Sequence, residues 1–377
     1  MENRLFIKGH SITPYLWVML GSAVCIVVIG LINLRNTDFY SHSSYVQSQT
    51  LWVLVGTILA AITAAVDMRV FEKLSSFFFW LMLFLLLLTL LAGKEVNNSR
   101  RWLVFLGVTI QPSEFMKIAF ILYLAGYFHG AKKFEKYTLR NLLRPIAYIL
   151  LPVTLILLQP DLGTTLVIIA VAFSIIFFEG IKWRSFAQLI GAVLFVIPLA
   201  WQFDIILPYQ KDRIELWLDP AGYKWDVQKK KRVDRSMQPE QALWAVGSGK
   251  ALGKGDKKGS QSRLKFLPEM HTDFIAATYA EERGFFGMAA LILLYFLLIF
   301  SAIRIGMNSR ERFGVVVSIG ITAMIFWQFF INLSMVTGLL PVVGITIPLM
   351  SYGGSSIVTV LIGIGLLTNV AIHRGQV

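Results

Sequence analysis

Ten apolar stretches, each long enough to cross a lipid bilayer, alternate with polar joints along the chain. A spanning helix needs roughly 17–25 mostly apolar residues. The runs at 14–34, 50–66, 74–92, 112–129, 142–158, 162–178, 185–203, 285–303, 314–336 and 354–372 meet that requirement. The pattern predicts an all-α integral membrane protein with ten transmembrane helices in one polytopic unit, residues 1–377, and one large loop, residues 204–272, between helices 7 and 8. The first run is too long for a signal-peptide core and no small-residue cleavage site follows it, so it reads as an uncleaved span. No internal repeat is visible, which argues against an inverted-repeat transporter.

Composition agrees with this class. The 377 residues are 56% hydrophobic and only 15% charged, with a mean hydropathy of +0.66; soluble proteins use about 25% charged residues. Cys25 is the one cysteine and lies in an apolar run, which excludes disulfides and cysteine metal sites. The net charge of +13 fits membrane topology and anionic lipid better than nucleic acid.

Ten spans put both termini on one side, and charge chooses the side. One set of short ends, including Arg69, Lys73, Arg140, Arg144, Arg310 and Arg312, carries 15 Lys and Arg residues; the opposite short loops carry 4, namely Arg35, Lys94, Arg100 and Arg101. Both termini are therefore expected in the cytoplasm and the large loop outside it, its own lysines notwithstanding, because long loops translocate largely regardless of charge. Within that loop Trp217, Tyr223, Trp225 and Trp244 suit an interfacial layer, and residues 241–247 read as a short amphipathic helix ended by Gly247. The basic run Lys229-Lys230-Lys231-Arg232 interrupts this aromatic pattern.

All the unusual polar motifs fall at the expected extracytoplasmic ends. Asp273 lies where the large loop meets the eighth span. A carboxylate at the edge of hydrocarbon is costly to keep, which makes it a functional candidate; equally, Thr272 or Asp273 would serve as a helix N-cap. Glu114 and Lys117 are spaced i,i+3 and share one helix face, either as a structural ion pair or with Lys117 as counter-charge to a substrate phosphate. Pro112 and Ser113 suit a first helical turn. Asp161, in Gln159-Pro160-Asp161-Leu162-Gly163-Thr164, suits a helix start, where capping alone explains it. Arg100, Arg101 and Trp102 read as a headgroup anchor, and Ser351-Tyr352-Gly353-Gly354-Ser355-Ser356 as an amide nest suited to anions. Glu281 and Glu282 follow Asp273 closely. A continuous helix from Asp273 to Arg304 would run about 48 Å, longer than the roughly 30 Å hydrocarbon core, so it either projects outward or breaks near Gly284. One Asp with one distant Glu is a poor metal signature.

Four of these motifs, Gln111–Lys117, Gln159–Thr164, Leu267–Ile275 and Ser351–Ser356, resemble in order and spacing those of the SEDS family (shape, elongation, division and sporulation). The resemblance covers essentially the whole chain. The segments 247–255, 261–267 and 340–344 are similar to elongation-type rather than division-type members, while the Lys-rich run 229–235 departs from relatives and leaves the loop's conformation open.

The resemblance implies a membrane glycosyltransferase that polymerises lipid II, with inversion, through Asp273 as catalytic base. It implies substrate-binding roles for Arg101, Trp102, Gln111, Ser113, Glu114, Lys117, Gln159, Asp161, Thr164, Lys265, His271, Ser351, Tyr352 and Ser355. The departing pyrophosphate needs positive charge, from Arg101, Lys117, Lys265 or a divalent cation (Mg or Mn); no organic cofactor is implied. The implied partners are a class B penicillin-binding protein, whose membrane helix docks on spans eight and nine, and other elongation-complex proteins. The implied location is the bacterial cytoplasmic (inner) membrane. A lipid II flippase or a noncatalytic scaffold for wall enzymes is the competing expectation.

Overall fold

The computed structural model describes residues 6–7, 10–11, 13–41, 43–96, 99–105, 107–131, 136–203, 208–218, 230–263 and 269–373. Lys265, Tyr223 and Trp225 lie outside these residues. The chain is predominantly helical, and each expected span is a helix. The first seven are α1 (Thr13–Ser41), α2 (Tyr45–Ala65), α3 (Met68–Ala92), α4 (Pro112–Gly130), α5 (Leu139–Leu158), α6 (Leu162–Gly180) and α7 (Trp183–Gln202). The large loop contributes α8 (Pro208–Leu218), α9 (Lys230–Ser248) and α10 (Ser260–Arg263), and the last spans are α11 (Ile275–Met307), α12 (Arg312–Val336) and α13 (Gly354–Ile372). Among the described residues, 8 helices are long and apolar enough to cross a membrane. Helix α4 is not among them, because Ser113, Glu114, Lys117 and His129 dilute its apolar content.

The expectation of a purely helical protein needs correction. Two short strands, β1 (Phe6–Ile7) and β2 (His10–Ser11), pair near the N-terminus. Between α3 and α4 the chain forms β3 (Lys94–Val96), β4 (Ser99–Phe105) and β5 (Val108–Ile110), an antiparallel sheet with Leu103 opposite Ile110. The reason lies in β4 itself, whose β-branched and aromatic residues suit an extended, half-buried backbone.

Helix α1 runs past residue 34 because its polar end is satisfied within the protein: Asn33 Nδ2 donates to Ile275 O at 3.2 Å and Asn36 Nδ2 to Glu282 Oε2 at 2.6 Å. Helix α9 continues through Gly247 to Ser248, with Ala242 and Ala245 buried, so the short helix expected at 241–247 is the end of a longer one.

Helix α11 breaks at Gly284, the second of the two outcomes its excess length left open. Gly284 has φ 66° and ψ −163°, a conformation open to glycine and costly for other residues. The break frees backbone groups that residues 250–255 take up. Lys254 N and Gly255 N donate to the carbonyls of Glu281 and Glu282, and Phe285 N and Phe286 N donate to Lys250 O and Ala251 O. Such backbone groups must find partners when buried at membrane depth.

The interior is built by α4, α12 and α13, whose apolar residues are mostly buried. Helices α2, α3 and α11 present residues such as Leu51, Phe77, Trp80 and Phe296 outward, the surface expected toward lipid.

Candidate functional site

Asp273 sits in the turn 269–274 that leads into α11. The turn is closed by backbone bonds from Thr272 N and Phe274 N to Glu269 O, at 3.3 and 3.2 Å. The N-cap of α11 is Phe274, with no side-chain capping bond, so neither Thr272 nor Asp273 caps the helix. Thr272 Oγ1 instead lies 3.2 Å from Glu269 Oε2. The Asp273 carboxylate has no hydrogen-bond or ion-pair partner among the described residues.

The turn is clasped by the segment between α12 and α13. Tyr352 N donates to His271 O at 2.9 Å, and Ser351 Oγ donates to Thr272 O at 2.8 Å while accepting from Ile347 N. Gln49 of α2 locks the same segment, donating to Ser351 O at 3.0 Å and accepting from Gly353 N at 3.1 Å. Beneath it, Asn332 Nδ2 donates to Asp273 O at 2.8 Å and also to Ile345 O. Gly344 adopts φ 76°, and a Cβ there would lie 3.3 Å from Asp273 Oδ2. Glycine at that position therefore leaves the face of the carboxylate clear. His271 stacks on Tyr45 with ring centroids 4.2 Å apart and planes 6° from parallel; burial holds its pKa below the usual imidazole range, with Glu269 and Asp38 pulling the other way.

A second cluster gathers the other motifs. Asp161 caps α6, accepting from Thr164 N at 3.2 Å, and its Oδ2 accepts from Thr164 Oγ1 at 2.9 Å, Gln111 Nε2 at 3.1 Å and Ser113 Oγ at 3.5 Å. Gln111 N donates to Ser355 Oγ at 3.0 Å, tying α4 to the start of α13. Arg101 is not turned to headgroups: its Nε donates to Gln159 O at 3.0 Å and its Nη2 to Pro160 O. Gln159 Nε2 reaches Leu86 O at 2.8 Å. Strand alternation puts Trp102 on the opposite face of β4 from Arg101, so the strand separates these neighbours. The Ser351–Ser356 run acts as a clasp, with its Ser351 and Ser355 hydroxyls already engaged.

Lys117 and Glu114 form a buried pair, Nζ to Oε2 2.8 Å, with side chains 2% and 9% exposed. Glu281 and Glu282 serve the loop: Glu281 Oε1 accepts from Lys254 Nζ, Ser260 N and Gln261 N, and Glu282 accepts from Asn36, Tyr40 and Lys257 N.

Electrostatics join the two clusters. Burial pushes the Asp273 carboxyl up to about 7; Glu269 and Asp161 add to the rise, and Arg213 and Arg101 oppose it. Arg213, on α8, was not singled out from sequence. It donates to Val342 O at 2.9 Å, while Trp217 Nε1 donates to Gly338 O at 2.9 Å, so α8 lies over the clasp. The available signals were a lone arginine in an amphipathic piece of the large loop and, for Asn332, an amide inside an apolar span. No group of three His, Cys, Asp or Glu side chains able to hold a metal occurs among the described residues. Asp161 spends its oxygens on capping. The described residues therefore form no protein cage for a divalent cation.

A family model, FTSW_RODA_SPOVE, described as cell cycle protein, matches residues 10–376. The chain belongs to this family. Among its relatives, the peptidoglycan glycosyltransferase MrdB of Escherichia coli (strain K12) is 33% identical over 85% of this chain and 84% of its own length. A probable peptidoglycan glycosyltransferase FtsW of Nitrosomonas europaea is 35% identical over 94% of this chain and 90% of its own. Among solved structures, the chain resembles a component of a peptidoglycan synthase complex that coordinates polymerization and crosslinking, with TM-score 0.81 and 28% identity, covering 96% of this chain and 98% of that one. It also resembles the rod shape determining protein RodA of Thermus thermophilus, with TM-score 0.70 and 26% identity over the same shares. The fold expected from the resemblance is thus that of FtsW/RodA/SpoVE proteins.

Proposed function

We propose that this chain is the glycan-polymerising enzyme of an elongation-type wall synthase, with Asp273 as its catalytic base. It is a peptidoglycan glycosyltransferase, as its family relatives are named. The observation that carries the role of Asp273 is a carboxylate raised to about 7, without a hydrogen-bond partner among the described residues, held by its backbone and not used as a cap.

The reaction is a single displacement on lipid II. A sugar 4-hydroxyl of the incoming lipid attacks C1 of the growing strand and the C1–oxygen bond to undecaprenyl pyrophosphate breaks. One displacement inverts the anomeric centre and requires one base beside the nucleophile. Asp273 takes the hydroxyl proton and returns it to solvent. A base with a pKa near the working pH combines an adequate ionised fraction with useful basicity. Arg213 and Arg101 supply positive charge to the leaving pyrophosphate. Arg101 has five N–H donors and uses only its Nε and one terminal nitrogen on the 159–160 carbonyls. Lys117, closed on Glu114, supports the fold of α4.

We read α4 and α7 as the fourth and seventh spans, which complete ten with the 8 apolar ones, with both termini cytoplasmic and Asp273 at the extracytoplasmic face of the bacterial inner membrane. There the isoprenoid tail stays in lipid while the headgroup faces the wall. A class B penicillin-binding protein is the partner, and the outward Phe285, Leu293, Phe296 and Phe300 of α11 offer its membrane helix an apolar face.

The test uses the purified chain and lipid II. Asp273→Asn is expected to abolish glycan strands while the protein stays monodisperse; strands formed by that variant reject the assignment. Headgroup translocation in vesicles without polymer would reject the polymerase altogether.

A further inference from the structure

At the far end of α3 and α4 from Asp273 lies a cavity of about 710 Å³ that the proposed reaction does not use. Its lining includes Arg69, Glu72, Lys73, Tyr127, His129 and Glu311. That volume is within the roughly 300–1,000 Å³ of ordinary ligand sites. We propose that it binds the headgroup of a zwitterionic phosphoethanolamine lipid, with the phosphate at Lys73 and the ammonium at Glu311.

The charges select this headgroup. His129 Nε2 lies 3.4 Å from Glu72 Oε1, an ion pair when the imidazole is protonated. Lys73 and Glu311 have no ion-pair partner among the described residues, and although they line the same cavity they do not pair with each other. A ligand bearing both signs satisfies both. Arg69, also in the lining, is engaged elsewhere, and an anionic glycerol headgroup satisfies Lys73 while leaving Glu311 without a counter-charge. Tyr127 adds a ring whose face attracts an ammonium and whose polar tip belongs at headgroup depth, while Tyr123 is stacked on Phe79.

The surface beside the cavity selects a lipid over a soluble phosphoester. Phe77, Trp80 and Phe84 follow Lys73 at helical spacing along α3 and are 60%, 52% and 60% exposed. They form one apolar track leading from Lys73 into the membrane region, where acyl chains would lie. Gly126 keeps the floor shallow: a Cβ there would meet Ser75 Oγ at 2.8 Å.

The experiment is native mass spectrometry of the full chain in detergent, titrated separately with phosphatidylethanolamine, phosphatidylglycerol and glycerophosphoethanolamine. Phosphatidylethanolamine should be retained about fivefold better than phosphatidylglycerol, since one charge contact near a lipid surface contributes about that factor. Lys73→Gln should weaken phosphatidylethanolamine retention about fivefold, and Glu311→Gln should erase the preference over phosphatidylglycerol. Neither side chain has an ion-pair partner to lose among the described residues, so both variants should fold; size-exclusion chromatography checks this. Equal retention of the two lipids, or an unchanged preference in both variants, overturns the proposal. Glycerophosphoethanolamine bound as tightly as the lipid also overturns it, assigning the cavity to a soluble phosphoester.

Discussion

The side-chain amide of Asn332, buried in α12, donates to the main-chain carbonyl of Asp273 at 2.8 Å and to that of Ile345 as well. One side chain thus couples the turn carrying the carboxylate to the segment that clasps it. Asn332→Leu should leave two buried carbonyls unsatisfied, at about 1–3 kcal/mol each. Thermal unfolding should move down, and polymerisation of lipid II should fall more than the folded fraction does. Unchanged turnover in the folded protein would mean that the turn holds its geometry without Asn332.

Asp273 should impose an acid limb on activity near pH 7, because only the ionised carboxylate accepts a proton. The neighbours set its position. Glu269 raises the Asp273 pKa and Arg213 lowers it, so Glu269→Gln should shift the limb to lower pH and Arg213→Gln to higher pH. Rate–pH profiles of the three proteins check this; shifts of the same sign would contradict it.

The same group makes a stability prediction. A carboxyl near 7 in the folded state and near 3.9 unfolded binds more protons when folded. Its contribution therefore declines as pH rises from about 4 through 7 and stays unfavourable above. Asp273→Asn removes this cost, so its unfolding temperature should exceed wild type at pH 8 and approach it at pH 5.

Lys117→Ala should unfold the protein readily, since Glu114 would remain buried without its partner, a loss of about 3–5 kcal/mol. Replacing both residues by apolar side chains of similar volume should restore the unfolding temperature. If glycan synthesis returns with it, the pair is a packing device; if not, Lys117 acts on substrate.

Gly284→Ala should detach the loop 250–255 from the break in α11. The new Cβ would lie 2.3 Å from Gly253 N, at a φ of 66° that costs a non-glycine residue about 1–3 kcal/mol. Faster proteolysis between Gly249 and Arg263 with α11 intact would report it.

The membrane class, the ten helical segments and the excess length of α11 are legible in the residues, because hydropathy and helix rise are local quantities. Position at the edge of hydrocarbon made Asp273 a candidate, and the resemblance supplied roles for it and the other motifs. Only the tertiary structure shows that Asp273 does not cap α11, that Arg101 turns inward to the 159–160 carbonyls, and that Asn332 and Arg213 belong to the site. Those contacts join residues 58 to 129 positions apart, and no periodicity within a segment encodes which distant carbonyl an amide or guanidinium will meet. The choice is made by packing, which must satisfy every buried polar group at once.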